Sequence, residues 1–482
     1  MLFNSIEFAL FLPIVLILYW FVTNRNLKIQ NAFLLLASYL FYGWWDWRFL
    51  SLIIFSSFVD YSVGIALSKT EESNRRKLLL WTSIFVNIGF LGFFKYYNFF
   101  AESFADAFTL LGRPFDASRL NIILPVGISF YTFQTLSYTI DVYKKKLEPT
   151  KDIISFFTFV SFFPQLVAGP IERATNLLPQ FYKKRAFEYE KAKNGMRQIL
   201  WGLFKKVVIA DNCATFANDI FANYPDYSGS TLLMGAFFFA FQIYGDFSGY
   251  SDIAIGTAKL FGFNLMQNFA FPYFSRDIAE FWRRWHISLS TWFRDYVYIP
   301  LGGSRGGISM KIRNTFIIFI VSGFWHGANW TFIVWGFLNA LYFMPLMLLN
   351  KNRINTDVVA QGKQLPTLKE LLNILITFNL TLVAWVFFRA ESVADALSYL
   401  SKIFSSSLFT TSLILPLDFM IIILIFLLIE WFNREREHPL SFSMVSDKKW
   451  IPFLRVAGVC ILIWSIILWG VFDNKEFIYF QF

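Results

Sequence analysis

The apolar residues of this chain occur in long, almost uninterrupted runs, and most polar residues lie between the runs. A membrane-spanning helix needs roughly 20 mainly apolar residues to cross about 30 Å of hydrocarbon. Twelve runs approach or exceed that length, and they lie near residues 5–23, 29–43, 49–68, 78–99, 120–140, 153–170, 196–220, 231–262, 314–349, 370–389, 411–431 and 453–472. They alternate too little for the strands of a β-barrel. The pattern predicts an all-α polytopic membrane protein of about 11–12 transmembrane helices.

The composition supports this prediction, because 56% of the 482 residues are hydrophobic and 21% are aromatic. The mean hydropathy is +0.49. The first run, MLFNSIEFALFLPIVLILYW, lacks a basic start, carries Glu7 and has no small-residue cleavage site. A cleaved signal peptide needs a basic start and a small-residue cleavage site. We therefore expect this run to be a retained first span.

The net charge of +10 follows the membrane topology and does not indicate nucleic-acid binding. Basic residues cluster after the first, third and fifth runs, whereas the loops after the second and fourth runs are less basic. Cytoplasmic loops carry an excess of Lys and Arg. We expect the N-terminus to be periplasmic and these basic loops to be cytoplasmic. They contain Arg25 and Lys28; Lys69, Arg75, Arg76 and Lys77; and Lys144, Lys145, Lys146 and Lys151.

One run does not fit a simple crossing. Residues 153–170 lie between two basic segments that both look cytoplasmic, the second being KKRAFEYEKAK at 183–193. Pro164, Gly169 and Pro170 interrupt a helix there, and non-helical backbone at membrane depth is tolerated only where protein or a cavity surrounds it. The sequence therefore predicts a re-entrant element beside a polar space.

A second irregularity is the run 314–349, which holds 36 residues without a charge. As one straight helix it would be about 54 Å long, well above the hydrocarbon thickness. Within it lies SGFWHGANWTFIVWG, and Gly327-Ala328-Asn329 is its weakest helical point. We expect a helix break there, at mid-membrane depth, with His326 beside it.

Other polar residues fall between these regions. Asp246 and Asp252 interrupt an apolar stretch, where carboxylates mark functional sites or pair with Lys or Arg; we favour pairing. The segment 275–307 contains His286 and is too charged to span, which is typical of an interfacial amphipathic helix. His438 lies in a charged loop and is expected to be solvated. The two cysteines, Cys213 and Cys460, give no disulfide framework and no metal-ligand spacing.

Three strings make the chain similar to a known superfamily: NFAFPYFSRDIAEFWRRWHISLSTWFRDYVYIPLGG, SGFWHGANW and FFPQLVAGPIER. They resemble the membrane-bound O-acyltransferases, most closely the bacterial branch of the alginate O-acetylation membrane proteins. The D-alanyl transfer proteins of teichoic acid modification are the next closest. The resemblance covers roughly residues 1 to 390.

The resemblance implies a ring of helices around a central tunnel. It implies a transmembrane core over 1–390 with its catalytic region at 240–340, and further transmembrane helices at 391–482. It also implies that His326 is the catalytic histidine and that His286 holds the second conserved polar position.

Histidine suits this chemistry, because acyl transfer to a hydroxyl needs a base with a pKa near neutrality. We assign His326 as the general base, with His286 orienting the substrate or stabilising the thioester carbonyl. Asn329, Trp325 and Ser322 are candidates for substrate binding or for an oxyanion site. In the competing interpretation His326 is a packing histidine, because Gly323 and Gly327 could bring two helices close.

The sequence thus predicts an O-acyltransferase of a bacterial inner membrane, with acetyl-CoA as the cytoplasmic acyl donor and with no bound cofactor or metal. Besides membrane lipids, its partners would be a periplasmic polysaccharide or a periplasmic acetyltransferase, and not nucleic acid. One alternative is D-alanyl transfer from a carrier protein to teichoic acid. The other is a transporter, since transporters also use broken helices, although the sequence shows no convincing internal repeat.

Overall fold

The computed structural model describes residues 1–113, 119–167, 169–442, 450–472 and 477–478, and every regular element in them is helical. The chain folds into two compact units. Unit 1 is formed by Met1–Tyr189 and Ala258–Leu265, and unit 2 by Glu190–Thr257 and Met266–Phe482. The domain boundary expected near residue 390 and the ring and tunnel implied by the resemblance stay predictions.

The α-helices of unit 1 are α1 (Ile6–Ile17), α2 (Leu27–Asp46), α3 (Leu50–Ser68), α4 (Ser73–Leu91), α5 (Tyr97–Leu110), α6 (Ile128–Tyr143), α7 (Ile153–Ser161), α8 (Phe163–Leu166) and α9 (Ala174–Leu177). Those that follow are α10 (Tyr189–Leu203), α11 (Asp211–Ala222), α12 (Gly229–Leu260), α13 (Ile278–Arg284), α14 (Ile287–Phe293), α15 (Ile308–His326), α16 (Trp330–Leu348), α17 (Leu368–Arg389), α18 (Val393–Ile403), α19 (Leu417–Phe432) and α20 (Trp450–Trp469). Wider π-helical turns occupy Leu18–Val22, Gly92–Tyr96, Phe204–Ala210 and Arg294–Tyr298, and 3₁₀ turns occupy Trp47–Phe49, Leu178–Tyr182, Tyr224–Asp226, Pro272–Phe274 and Ser406–Phe409.

Each of the twelve predicted runs contains helix, which confirms the membrane-protein class. Five helical stretches in the described residues are long and apolar enough to cross a membrane by length and composition: Leu27–Ser68, Ser73–Leu110, Trp330–Leu348, Leu368–Arg389 and Trp450–Trp469. Two shorter apolar stretches, Ile6–Val22 and Ile153–Leu166, accompany them. The remaining runs carry charges or helix breaks.

The predicted interruption at 153–170 is present. α7 is only 9 residues long and ends at Ser161, and α8 adds four residues after Phe162. The Asn31 side chain of α2 donates to Ser155 Oγ at 3.2 Å and to the Phe181 carbonyl at 2.9 Å. Residues 155 and 181 thus contact the same side chain of α2. The re-entrant course of this segment in the membrane stays a prediction.

A buried carboxylate holds three helices of unit 1 together. Asp60 of α3 accepts hydrogen bonds from Ser83 and Asn87 of α4 and from Thr139 of α6, the last two at 2.8 Å. Burying a charge is costly unless hydrogen bonds compensate it. Neutral donors supply that compensation here.

Candidate active site

The charge-free run 314–349 folds as a hairpin of two helices. α15 ends at His326, Gly327 is extended, and the Asn329 side chain caps α16 by accepting from the Thr331 backbone N–H at 3.0 Å. A Cβ added at Gly323 would meet the Phe332 carbonyl, and one added at Gly336 would meet the Phe319 carbonyl. The two helices are therefore closely packed and antiparallel.

The hairpin confirms the break after His326 but changes its form. Each helix has 19 residues, which corresponds to about 28 Å, close to the length needed to span hydrocarbon. The structure joins the two helices at residues 327–329. The mid-membrane depth expected for this break stays a prediction.

His326 is buried, with 4% of its surface exposed, and aromatic rings surround it. Its ring centroid lies 4.9 Å from that of Trp325, 5.2 Å from Trp335 and 5.3 Å from Phe388. The Trp335 ring meets it edge-on. Such a setting excludes water and fixes the position of the imidazole.

His286 lies between α13 and α14, where it occupies the left-handed region with φ 43° and ψ 54°. Phe247 of α12 meets the imidazole edge-on at 4.6 Å, and Phe269 stacks on it at 6.3 Å. Its Nδ1 lies 3.1 Å from Asn268 Oδ1. Burial lowers the pKa of this histidine, which lies outside the membrane-spanning helices, well below its ordinary value. His286 is therefore neutral at physiological pH.

Trp325 brings the two histidines into one site. Its indole lies 6.1 Å from the His286 ring and 4.9 Å from the His326 ring, between ring centroids. Forty residues separate the two histidines in sequence, so their shared contact with Trp325 is a tertiary result. Both lie in unit 2, inside the segment 240–340 that the sequence marks as catalytic.

Unit 2 also contains a cavity of about 710 Å³, and Ser322 contributes to its wall, whereas His286, Trp325 and His326 are not among the lining residues. Ser322 lies one turn before His326 on α15. The cavity wall contains both basic and apolar residues. Its basic residues are Arg283, Arg294, Lys311 and Arg353, and its apolar residues include Trp282, Phe293, Phe319, Phe343 and Met347. Such a wall suits a ligand that has an anionic head and an uncharged arm.

Asn329 has a structural task in this geometry. Its carbonyl oxygen caps α16, and its amide Nδ2 donates to the Glu391 backbone carbonyl at 2.9 Å. These bonds tie the hairpin turn to the chain that follows α17. A role for Asn329 at an oxyanion stays a prediction.

Unit 2 contains a buried ionic network that the sequence interpretation named only in part. Lys205 pairs with Asp252 at 2.6 Å, and Lys206 pairs with Asp246 at 2.8 Å and with Asp211 at 2.9 Å. The preference for charge pairing over catalysis at Asp246 and Asp252 therefore fits the geometry. The signal for their partners was the pair of adjacent lysines inside the apolar run 196–220.

The C-terminal part of the chain contacts the residues of α12 that lie near His286. The sequence did not predict this packing. Glu430 of α19 accepts from the Tyr244 hydroxyl at 2.8 Å, and the Ile478 backbone N–H donates to Asp246 at 2.7 Å. Phe477 lies 5.7 Å from Phe247, the ring that meets His286. The expected solvation of His438 is wrong, because only 1% of it is exposed.

Across the ranges given above, no three His, Cys, Asp or Glu side chains lie close enough together to hold a metal ion. Cys213 and Cys460 are free, one buried and the other exposed. The groups that surround the two histidines include hydroxyls, amides and indoles. These groups are suited to proton transfer and hydrogen bonding.

The fold and the site define an all-helical membrane protein with two buried histidines and a cavity whose wall contains basic residues. Comparisons with known proteins make the class specific. The family model of the membrane-bound O-acyltransferases matches residues 144–376, which include both histidines. The chain therefore belongs to the membrane-bound O-acyltransferase family, as its relatives also show, and it is a multi-pass O-acyltransferase.

Several relatives are similar over most of the chain. It is 41% identical to the probable alginate O-acetylase of Pseudomonas aeruginosa, over 84% of this chain and 75% of that protein. It is 37% identical to the peptidoglycan O-acetyltransferase of Helicobacter pylori, over 83% and 79%. The teichoic acid D-alanyltransferase of Streptococcus thermophilus is 31% identical over 56% of this chain and 69% of that protein.

Proposed function

We propose that this protein moves an acetyl group from acetyl-CoA in the cytoplasm to hydroxyls of an extracytoplasmic polysaccharide, across a bacterial inner membrane. The transfer is either direct or passes through a periplasmic acetyltransferase. Similarity to the O-acetylases of alginate and peptidoglycan supports the acetyl group and the class of acceptor. The observation that carries the proposal is the contact of His286 and His326 with one indole, in the unit that also contains the cavity lined by Ser322.

His326 acts as the general base. It removes the proton of the acceptor hydroxyl as the oxygen attacks the thioester carbonyl carbon; the C–S bond breaks, and the proton passes to the thiolate to give free CoA. Its aromatic surroundings exclude water, which would otherwise compete as the acceptor. His286 either orients the acceptor or stabilises the thioester carbonyl.

The cavity suits the acyl donor. CoA carries phosphates on a long uncharged arm, and Arg and Lys bind phosphates. Basic residues flank the cavity ends of α15 and α16, namely Arg305, Lys311, Arg313, Lys351 and Arg353, whereas the hairpin turn 327–329 has no charge. The positive-inside rule therefore favours a cytoplasmic cavity and a hairpin turn directed toward the other face.

The test is a comparison of His326→Ala with His438→Gln, a change at the buried histidine outside the site. In proteoliposomes with acetyl-CoA and an oligosaccharide acceptor, we expect His326→Ala to lower CoA release by about 10²–10⁴-fold, the usual contribution of a general base. His438→Gln should retain wild-type release. Unchanged release by His326→Ala would overturn the assignment of the base.

The same preparation separates the alternatives. A transporter would move intact substrate across the bilayer and release no CoA. D-alanyl transfer is the second candidate, supported by the relative from Streptococcus thermophilus. In cells, loss of D-alanyl ester with unchanged O-acetyl content upon His326→Ala would replace the acetyl proposal with it.

A further inference from the structure

The side chain of Asn268 has only one orientation that fits its neighbours. The Ser288 backbone N–H lies 3.3 Å from Oδ1, and the Ser288 hydroxyl lies 2.9 Å from the same atom. A backbone N–H can only donate, so the atom that faces it must be the amide oxygen. On the other side, Nδ2 donates to Ser251 Oγ of α12 at 3.0 Å. Asn268 is thus held from both ends.

This orientation decides which nitrogen of His286 carries the proton. Nδ1 of the imidazole lies 3.1 Å from the Asn268 oxygen, which can only accept. The Ser288 hydroxyl also lies 3.4 Å from Nδ1, but it donates to the Asn268 oxygen at the shorter distance of 2.9 Å. Nδ1 therefore carries the hydrogen, and in a neutral imidazole the lone pair is then on Nε2.

Asn268 also holds the backbone at His286. The backbone carbonyl of Asn268 accepts from the Ile287 backbone N–H at 2.9 Å, and Ile287 immediately follows the left-handed His286. A residue other than glycine with positive φ persists only where its surroundings impose it, and such positions cluster at functional sites. One asparagine therefore binds both the ring and the turn that aims it.

Nε2 faces the protein interior without a hydrogen-bond partner in the part of the chain that the structure describes. His286 is 1% exposed, so this nitrogen is not satisfied by bulk water. Leaving a buried acceptor without a hydrogen bond is unfavourable. That cost is removed if a ligand donates a hydrogen bond there, next to the Trp325 indole that also contacts His326.

We infer that Asn268 is a positioning residue that holds His286 as the Nδ1–H tautomer, so that Nε2 accepts a hydrogen bond from a hydroxyl of the acceptor sugar next to the one that His326 deprotonates. The identity of that ligand rests on the proposed function. An Nε2 lone pair cannot donate to a carbonyl oxygen. Of the two roles proposed for His286, orientation of the acceptor is therefore the one that this geometry allows.

The tautomer can be measured directly, because the chain has only three histidines. The full-length protein labelled with ¹⁵N-histidine gives separate ring-nitrogen signals for the two tautomers, and His286→Gln assigns the signal of His286. We expect a protonated Nδ1 and a bare Nε2 in the wild type. A protonated Nε2 in the wild type would overturn the inference without any variant having to fold.

Asn268→Ala should then mix the tautomers of His286, lower kcat by about tenfold or more, and change the KM for acetyl-CoA by less than about threefold. Asn268→Asp keeps an acceptor oxygen facing Nδ1, so it should restore the Nδ1–H signal and most of kcat. Asn31→Ala, a change at a buried asparagine of unit 1 without a histidine partner, is the matched control and should leave the spectrum as in the wild type.

If Asn268→Ala retained both the single tautomer and the wild-type kcat, Asn268 would not be a positioning residue. The ring-nitrogen signals do not depend on turnover. If the wild-type protein released no CoA from acetyl-CoA in the His326 experiment, the proposed function would be wrong, and the tautomer result would still stand.

Discussion

His286 and His326 share the Trp325 indole, but they are held by different kinds of interaction. His286 is held by the amide of Asn268, by a left-handed turn and by aromatic rings, among them that of Phe247 on α12. The same helix α12 carries Asp246 and Asp252, which pair with Lys206 and Lys205. His326 ends a helix among Trp325, Trp335 and Phe388.

The difference has a functional consequence. Directional hydrogen bonds fix which nitrogen is protonated, and that is the requirement for orienting a hydroxyl. Aromatic packing fixes the position of a ring and keeps water out, which is the requirement for a base that gains and loses a proton in each turnover. We therefore expect changes in the buried ion pairs to act mainly on stability, and changes in the aromatic region to act on both turnover and stability.

The largest effect is expected at Lys206. Lys206→Met leaves Asp211 and Asp246 buried without their cation, and breaking a buried pair costs about 3–5 kcal/mol. Thermal unfolding in detergent should show the loss. The double variant Lys206→Met/Asp246→Asn should recover part of it, because one uncompensated charge is removed.

Lys193→Met is the matched control, because Lys193 of α10 pairs with the exposed Glu190. A pair of this kind contributes about 0–1 kcal/mol. Equal losses for Lys193→Met and Lys206→Met would show that the buried network does not stabilise unit 2.

An intermediate effect is expected in the aromatic region. Phe388→Leu leaves a small void against His326, Trp335 and Phe332. The expected cost is roughly 1–2 kcal/mol, below the range of about 3–5 kcal/mol typical of Phe→Ala. We also expect kcat to fall severalfold, because the imidazole loses a packing contact. Phe337→Leu, on the exposed side of α16, should change neither quantity.

The smallest effect is expected at Asn329. Asn329→Ala removes the cap of α16 and should lower the free energy of unfolding by about 1 kcal/mol, with kcat within about twofold of the wild type. Asn329→Ser preserves a capping oxygen and should restore the stability. A tenfold fall in kcat at unchanged stability would instead assign Asn329 a contact with the substrate.

Much of the fold could be predicted because its determinants are local. An apolar run of about 20 residues forms a helix whatever it packs against, and the length of 314–349 with its Gly-Ala-Asn step required a break after His326. Pro164 and the basic segments on both sides of 153–170 required a return. The form of the break after His326 was not predictable, because the length of an apolar run does not distinguish a hairpin of two helices from one broken span.

The ionic network was missed for a different reason. Lys205 and Lys206 lie inside an apolar run, and adjacent residues of an α-helix point in different directions. The π-helical segment Phe204–Ala210 lets both reach carboxylates of unit 2. A π-helical turn contains about one residue more than an α-helical turn. The composition of the segment does not reveal that change.

The sequence by itself determined the class of protein, the helices and the two breaks, because hydropathy and helix interruption act over a few turns. The candidate histidines followed from the resemblance to the family. Only the tertiary structure decided which atoms meet: Asn268 with His286 over 18 residues, and Tyr244 with Glu430 over 186. Hydrogen bonds depend on distances of a few tenths of an ångström and on direction. The packing of distant helices sets those quantities, and the order of residues along one helix does not.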